Sequence, residues 1–216
     1  MQYLQPIFSG NHTVKVPGIY RIGGKTFTTS QLAKLTGAPE GTTFKFSSNS
    51  SAITITGTHP VFFDEDKPLE RMIIDTNDGL SLFNVQFQIK SEFRRNGNGF
   101  KMLHSQLNAC RQLEIPFIRC IAGRWMKGDG GKRQELDGYM VWPKLGFDGT
   151  IPDGTKALLG QDFAAYRTIQ ELVQQPGGWA EWQRHGDGAR LTFEVDSGSV
   201  HSSIFMAYGK TKGYLP

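Results

Sequence analysis

The residues with the clearest chemical potential lie in one stretch, Ile89-Lys90-Ser91-Glu92-Phe93-Arg94-Arg95-Asn96-Gly97-Asn98-Gly99-Phe100. Gly97 and Gly99 leave main-chain N–H groups uncovered by side chains, and Arg94 and Arg95 put positive charge beside them. Where such a segment turns from a strand into a helix, its N–H groups stand at the helix N-terminus. Unsatisfied donors and aligned peptide dipoles attract phosphate or pyrophosphate there. The expected chemistry is capture of a phosphorylated ligand by the main chain from Arg95 to Phe100, including Asn96, Gly97, Asn98 and Gly99.

The flanking patterns supply that strand and that helix. From Leu82 to Ile89, Phe83, Val85, Phe87 and Ile89 share one face of a strand, and Asn84, Gln86 and Gln88 share the other. The first face is expected in the core and the second against water or a cleft. From Gly99 to Leu113, Phe100, Leu103, Leu107 and Cys110 recur at helical spacing. Ile115-Pro116 ends the helix, because proline disfavours helical backbone at the preceding residue. Phe117 to Ala122 reads as a buried strand. Strand, turn, helix and strand make a βαβ unit whose two strands are expected as parallel neighbours.

The pattern Arg94-x-x-Gly97-x-Gly99, after a strand and before an amphipathic helix, resembles the acyl-CoA pyrophosphate loop of the GNAT superfamily of N-acetyltransferases. Ile89 and Phe93 fall where that family usually has an aliphatic and an aromatic residue. A second stretch, Gly138-Tyr139-Met140-Val141-Trp142-Pro143-Lys144-Leu145-Gly146-Phe147, resembles the family's Ala-x-x-x-Tyr-x-x-x-Gly-Phe, with Gly138 for the alanine and Trp142 for the tyrosine. The resemblance covers roughly residues 69–148. It implies an α/β (α+β) fold with a mixed, splayed central sheet flanked by helices. It also implies acetyl-CoA as cosubstrate, an amine-bearing acceptor, and a pantetheine arm lying along Phe87 to Ile89. Catalysis would be direct attack of the amine on the thioester, over the polar face carrying Gln86 and Gln88.

The family's tyrosine often returns a proton to the departing thiolate, and Trp142 has no titratable proton to give. Tyr139, one helical turn earlier, is the candidate replacement, with Gln86 the other candidate catalytic residue. Asp75, Asp78, Glu70 and His104 are weaker candidates for the base, better read as turn, surface or hydrogen-bonded residues. The alternative is a GNAT-shaped module without catalysis, serving binding or a structural, virion-type role. A third reading is nucleic-acid binding through Arg94, Arg95 and the Lys127–Arg133 segment; nucleic acid is not the favoured partner.

The 216 residues suffice for one domain of ordinary size with an appendage, and 38% apolar and 12% aromatic residues suit a packed core. The net charge of +4 suits a CoA-type ligand. Cys110 and Cys120 read as reduced, buried thiols. The five histidines lack metal-ligand spacing, so no metal is expected. No apolar run approaches the ~20 residues of a membrane span. Met1 to Gly10 carries no secretory pattern, so no membrane partner and a cytoplasmic location are expected.

Three parts follow along the chain: a β-rich part (1–68), the acyl-CoA-binding core (69–150) and a helix/strand/helix extension (151–216). In the first, Val14 to Ile22 is apolar and broken by Pro17-Gly18, while Thr42 to Phe46 and Ala52 to Thr56 alternate as strands do. Ser30 to Leu35 reads as a helix capped by Ser30 and ended by Gly37. Arg71 to Asp75 is a strand closed by an Asn77-Asp78-Gly79 turn. Trp125 to Asp137 reads as a loop, Tyr139 to Leu145 as a short helix, and Asp162 to Gln175 as a helix capped by Asp162. Ala180 to His185 reads as a short turn, Arg190 to Val195 as a strand, and Ser199 to Tyr208 as a final helix capped by Ser199.

Overall fold

In the computed structural model the described residues are 7, 8, 12, 14, 18–127, 133–135 and 137–216. The chain forms two compact units, Met1–Ile118 with Pro216, and Arg119–Leu215.

The first unit opens with a hairpin, β1 (Ile19–Ile22) and β2 (Lys25–Thr28), joined by Gly23 and Gly24 at φ +54° and +72°. Two consecutive positive φ values match the twist of a two-residue hairpin turn, which makes adjacent glycines the natural choice. Of the apolar run Val14 to Ile22, the part after Pro17-Gly18 forms β1, and residues 15–17 lie outside the described ones. Helix α1 (Thr29–Leu35) is capped by Thr28, not Ser30. Thr28 accepts the Gln31 N–H while Gln31 reaches back to the Thr28 N–H, and this reciprocal capping box outcompetes a lone serine. Gly37 follows at φ +63°, where a Cβ would strike the Met102 carbonyl.

Four antiparallel strands come next: β3 (Thr43–Ser48), β4 (Ala52–Thr58), β5 (Leu69–Thr76) and β6 (Gly79–Gln86). The Asn77-Asp78 turn falls where expected, with Thr76 opposite Gly79. After β6 come a 3-10 turn (Ser91–Phe93), α2 (Asn98–Gln112) and β7 (Phe117–Ala122), which crosses from the first unit into the second. The expectation that the strands flanking the long helix are neighbours holds, since β7 lies beside β6. The sheet is mixed, with strand order β10-β7-β6-β5-β4-β3, β10 being Ala189–Glu194.

The second unit adds β8 (Trp125–Lys127) and β9 (Arg133–Glu135), paired antiparallel where a loop was expected. Its helices are α3 (Gly138–Lys144), α4 (Asp153–Lys156), α5 (Ile169–Val173), α6 (Gly178–His185) and α7 (Val200–Thr211). Helix α7 is capped by Ser199 as read from sequence. The long helix expected from Asp162 does not form; a 3-10 turn (Gln161–Phe163) and the short α5 replace it. Thr168 bridges to Thr150 in extended conformation and makes a capping box with Glu171, so the helix starts there. Among the described residues no helix is long and apolar enough to cross a membrane.

Helix α2 buries its expected stripe, Phe100, Leu103, Leu107 and Cys110, each such side chain contributing ~1.5–3 kcal/mol. The face of β6 beneath the helix is not the one expected. Leu80, Leu82 and Asn84 are buried and Val85 is 43% exposed. The strand stops at Gln86, short of Phe87–Ile89, because its register against β5 slips there: Glu70 faces Gln86 and Arg71 faces Asn84, leaving Val85 in a bulge. Asn84 does not look into a cleft. Its amide exchanges two hydrogen bonds with Gln106 of α2, at 3.1 and 3.0 Å, and Gln106 also donates to the Leu35 carbonyl at 3.1 Å.

This buried amide pair predicts a strong double-mutant signature. Asn84→Leu strands the Gln106 amide and should cost about 1–3 kcal/mol in urea unfolding. Asn84→Leu with Gln106→Leu should recover part of that loss, leaving only the Leu35 carbonyl without its donor. Additive losses would mean that the pair is not coupled.

Candidate functional site

The glycine turn is held from below by aromatic side chains. Ile89 and Phe93 are buried in a cluster with Ala38, Phe62, Phe63, Leu69 and Met102, and the Phe62 and Phe93 rings lie 5.3 Å apart. The Lys90 N–H donates to the Phe62 carbonyl at 3.1 Å. Phe62 is in turn fixed by His59, whose Nδ1 accepts from the Val61 and Phe62 N–H groups and whose Nε2 lies 3.0 Å from the Glu40 carbonyl. An Nδ1 that accepts from two amides carries no proton, so Nε2 carries it and donates to Glu40. Phe62-Phe63 stands beside Pro60, in a stretch with no strand or helix pattern. The signal was the apolar pair itself, since two aromatic residues in a loop must be covered.

Above this base the chain reverses tightly. Phe93 and Arg94 donate to the Lys90 and Ser91 carbonyls. Arg95 sits at φ 63° and Gly97 at φ 74°, Gly97 standing as the N-cap of α2 without a side-chain cap. Glycine adopts this left-handed region freely, whereas arginine pays for it in strain. Asn98 is buried and its Nδ2 donates to the Phe93 carbonyl at 2.9 Å, closing the turn. Its Oδ1 is buried without a hydrogen-bond partner.

The consequence is a row of open donors. Among the described residues no hydrogen bond engages the N–H groups of Arg95, Asn96, Gly97, Asn98 or Gly99. They stand at the positive end of a helix of 15 residues with no acidic residue in its first turn. A Cβ added at Gly99 would meet nothing closer than 3.8 Å, so the fold leaves space in front of that backbone. Arg94 is exposed, and its Nε donates to the Ile89 carbonyl at 2.7 Å, which fixes the guanidinium beside the turn. Arg95 and Asn96 are exposed as well. Glu92, exposed and two residues before Arg94, carries opposing charge and accepts from the Ser91 hydroxyl at 3.2 Å. Such an arrangement has the donors and the field that suit an oxyanion.

Next to the turn, Phe87 is half-buried under the guanidinium of buried Arg71, 5.1 Å from its ring. Arg71 Nη1 also donates to the Glu70 and Gln86 carbonyls at 3.0 and 2.8 Å, filling the bulge. The Gln86 and Gln88 side chains are half-buried. No hydrogen bond among the described residues engages the Gln88 and Ile89 N–H groups. His104 stacks on Phe100 with 9° between the rings. Gln86, Phe87, Ile89 and the residues from Arg94 to Phe100 are thus contiguous in the first unit. Most of the Lys127–Arg133 segment lies outside the described residues.

Tyr139 and Trp142 belong to α3 in the second unit. After Leu145, the Gly146 N–H donates to Pro143 and the Phe147 N–H to Trp142, the paired bonds of a Schellman cap. Gly146 lies at φ +92°, where a Cβ would strike the His201 carbonyl. Trp142 and Phe147, the two positions whose side chains meet in such a cap, have ring centroids 4.8 Å apart. Tyr139 is 6% exposed; its carbonyl accepts from Trp182 Nε1 at 2.8 Å and its ring lies 5.0 Å from the Arg124 guanidinium. Both cysteines are buried and neither forms a disulfide, and burial pushes the Cys110 thiol far up, away from reactivity. Among the described residues no cluster of three or more His, Cys, Asp or Glu could hold a metal.

No protein-family model matches the chain, and no curated protein matches it in sequence.

Two predictions follow from the base of the turn. Burial holds His59 below its ordinary value of 6.5; Lys90 acts in the same sense and the Glu40 carbonyl opposes it. His12 and His104 are also lowered, by burial first. As the pH falls, the unfolded chain takes up these protons before the folded one. The stability the neutral rings contribute is therefore complete above about pH 6.5 and is lost below it. Melting temperature should drop between pH 7.5 and 5.5. His59→Asn, which keeps an acceptor for the two amides, should flatten that slope. An unchanged slope would remove His59 as a contributor. At Arg95, replacement by glycine relieves the left-handed strain. Calorimetry should find Arg95→Gly at least as stable as the parent, with a gain of up to ~1 kcal/mol.

Proposed function

We propose that this chain is an acyl-CoA-dependent N-acyltransferase of GNAT-like architecture, moving an acetyl group from acetyl-CoA to an amine. The observation that carries the reading is the row of unengaged N–H groups from Arg95 to Gly99, at the N-terminus of α2 and beside Arg94. A pyrophosphate needs that combination: several main-chain donors, a helix dipole and a fixed guanidinium. The cofactor-binding set is Phe87, Ile89 and Arg94 through Phe100, the pantetheine arm lying along Phe87–Ile89. The sheet would splay beside β6, and the cytoplasm, where acetyl-CoA is made and used, is the proposed location.

In the proposed reaction the neutral amine attacks the thioester carbonyl carbon while the Gln88 or Ile89 N–H polarises the oxygen. The C–S bond breaks and coenzyme A leaves as thiolate. The thiolate takes a proton from the Tyr139 hydroxyl, and the phenolate recovers through water the proton that the amine releases. Gln86 lines the path of the thioester. The acceptor is an amine on a small molecule or a protein.

A second reading has its own support. Tyr139 is almost fully buried, and Trp142 is engaged in the cap of α3, so this helix is built like a structural element. A GNAT-shaped module that binds without turnover, in a binding or virion-type structural role, is consistent with that.

Titration calorimetry with acetyl-CoA tests the first reading. The parent should bind, and Gly99→Val should lose at least about tenfold in affinity, because a side chain there blocks backbone approach while meeting little of the protein itself. Absence of binding by the parent would end the proposal. Tyr139→Phe should lower acetyl transfer by at least about tenfold without changing acetyl-CoA affinity. Binding with no transfer across a broad amine panel favours the second reading.

A further inference from the structure

A cleft of about 410 Å³ opens beside α1 and α2 in the first unit, on the flank of α2 and not at its N-terminus. Its polar wall carries His12, Lys34, His104, Ser105, Asn108 and Gln112, and its apolar wall Phe8, Ala38 and Ala109. The volume is that of a small-molecule site.

Two observations give the cleft a chemical character. Both ring nitrogens of His12 are buried, yet neither has a hydrogen-bond partner among the described residues. An imidazole always presents a donor or an acceptor at each nitrogen, and leaving either dry costs free energy that a bound partner restores. Lys34, exposed on α1, has no carboxylate within ion-pair distance among the described residues, so the cleft keeps an uncompensated cation. Glu40 and Lys34 both act electrostatically on His12, which places it within reach of their fields. Burial outweighs the opposing Glu40 field, Lys34 acts in the same sense as burial, and the ring stays neutral near pH 7, able to donate and to accept.

We propose that this cleft binds a small organic carboxylate, its charge against Lys34, its oxygens bonded by His12, Ser105 and Asn108, and its apolar body on Phe8, Ala38 and Ala109. A carboxylate fits better than a phosphate. The main-chain N–H groups of Gly37 and Ala38 are already used, donating to the Lys34 carbonyl and to Thr36 Oγ1, and among the described residues the lining has no arginine. Among the described residues the lining offers one lysine with neutral hydrogen-bonding side chains, which balances a single negative charge; a phosphate dianion calls for more.

The site is independent of the glycine turn, and the test keeps the two apart. Benzoate is titrated into the ¹⁵N-labelled full chain at pH 7, with benzamide as its neutral counterpart and inorganic phosphate as comparator. Expected are saturable shifts at Lys34, Ala38, Ser105 and Asn108, about tenfold or more weaker binding of benzamide, and a similar loss in Lys34→Ala. Lys34 is exposed, so that variant keeps the fold. Gly99→Val should bind benzoate like the parent. The proposal fails if benzamide binds as well as benzoate, if phosphate binds as tightly, if Lys34→Ala changes nothing, or if the shifts lie on residues 95–100 instead. It fails equally if benzoate produces no saturable shifts.

Discussion

The first unit depends on one buried side chain. Gln106 sits in the middle of the face that α2 turns to the sheet, where an apolar residue would be the easy choice. It makes three hydrogen bonds, two with Asn84 of β6 and one with the last carbonyl of α1. Away from water each of these is costly to lose, and together they allow only one register of α2 over β6. A purely apolar stripe could slide by a turn; an amide pair cannot. Gly37 enforces the same register from the other side, because α1 ends so close to the Met102 carbonyl that no Cβ fits.

A helix held in one register can afford an uncapped end. Helix N-termini usually satisfy their first N–H groups with a serine, threonine or aspartate side chain. Here the N-cap is Gly97, and the turn spends its side-chain bonds elsewhere: Asn98 and Arg94 both bond back to the main chain of the turn. Phe62, Phe93 and Ile89 carry the stability that a cap would have supplied. The strain at Arg95 fits the same pattern, since unfavourable backbone persists only where its surroundings over-determine it.

The two motifs that suggested acyl-CoA chemistry differ in physical kind. The first leaves hydrogen-bond donors open and empty space before them, which is a property of a binding site. The second closes on itself: Gly146 and Phe147 complete the cap of α3, and Trp142 is the hydrophobic partner that such a cap requires. Its Gly-Phe pair is explained by helix termination alone.

Short-range chemistry was legible in the chain itself. The α2 stripe, the Asn77-Asp78 turn, the Phe117–Ala122 strand and the Ser199 cap each follow from contacts within a few residues. So does the glycine turn, whose open donors are a main-chain property that two glycines announce. Tertiary structure decided what depends on partners distant in sequence. The face of β6 that lies under α2 was set by a bulge opposite Arg71 and by Gln106, not by alternation. Thr168 displaced Asp162 as a cap because its strand-like bridge to Thr150 held it extended. The cleft of His12 and Lys34 joins residues whose spacing carries no period at all. A local pattern specifies an element because its energy is local; the surface an element buries is chosen by the neighbour that satisfies its polar groups.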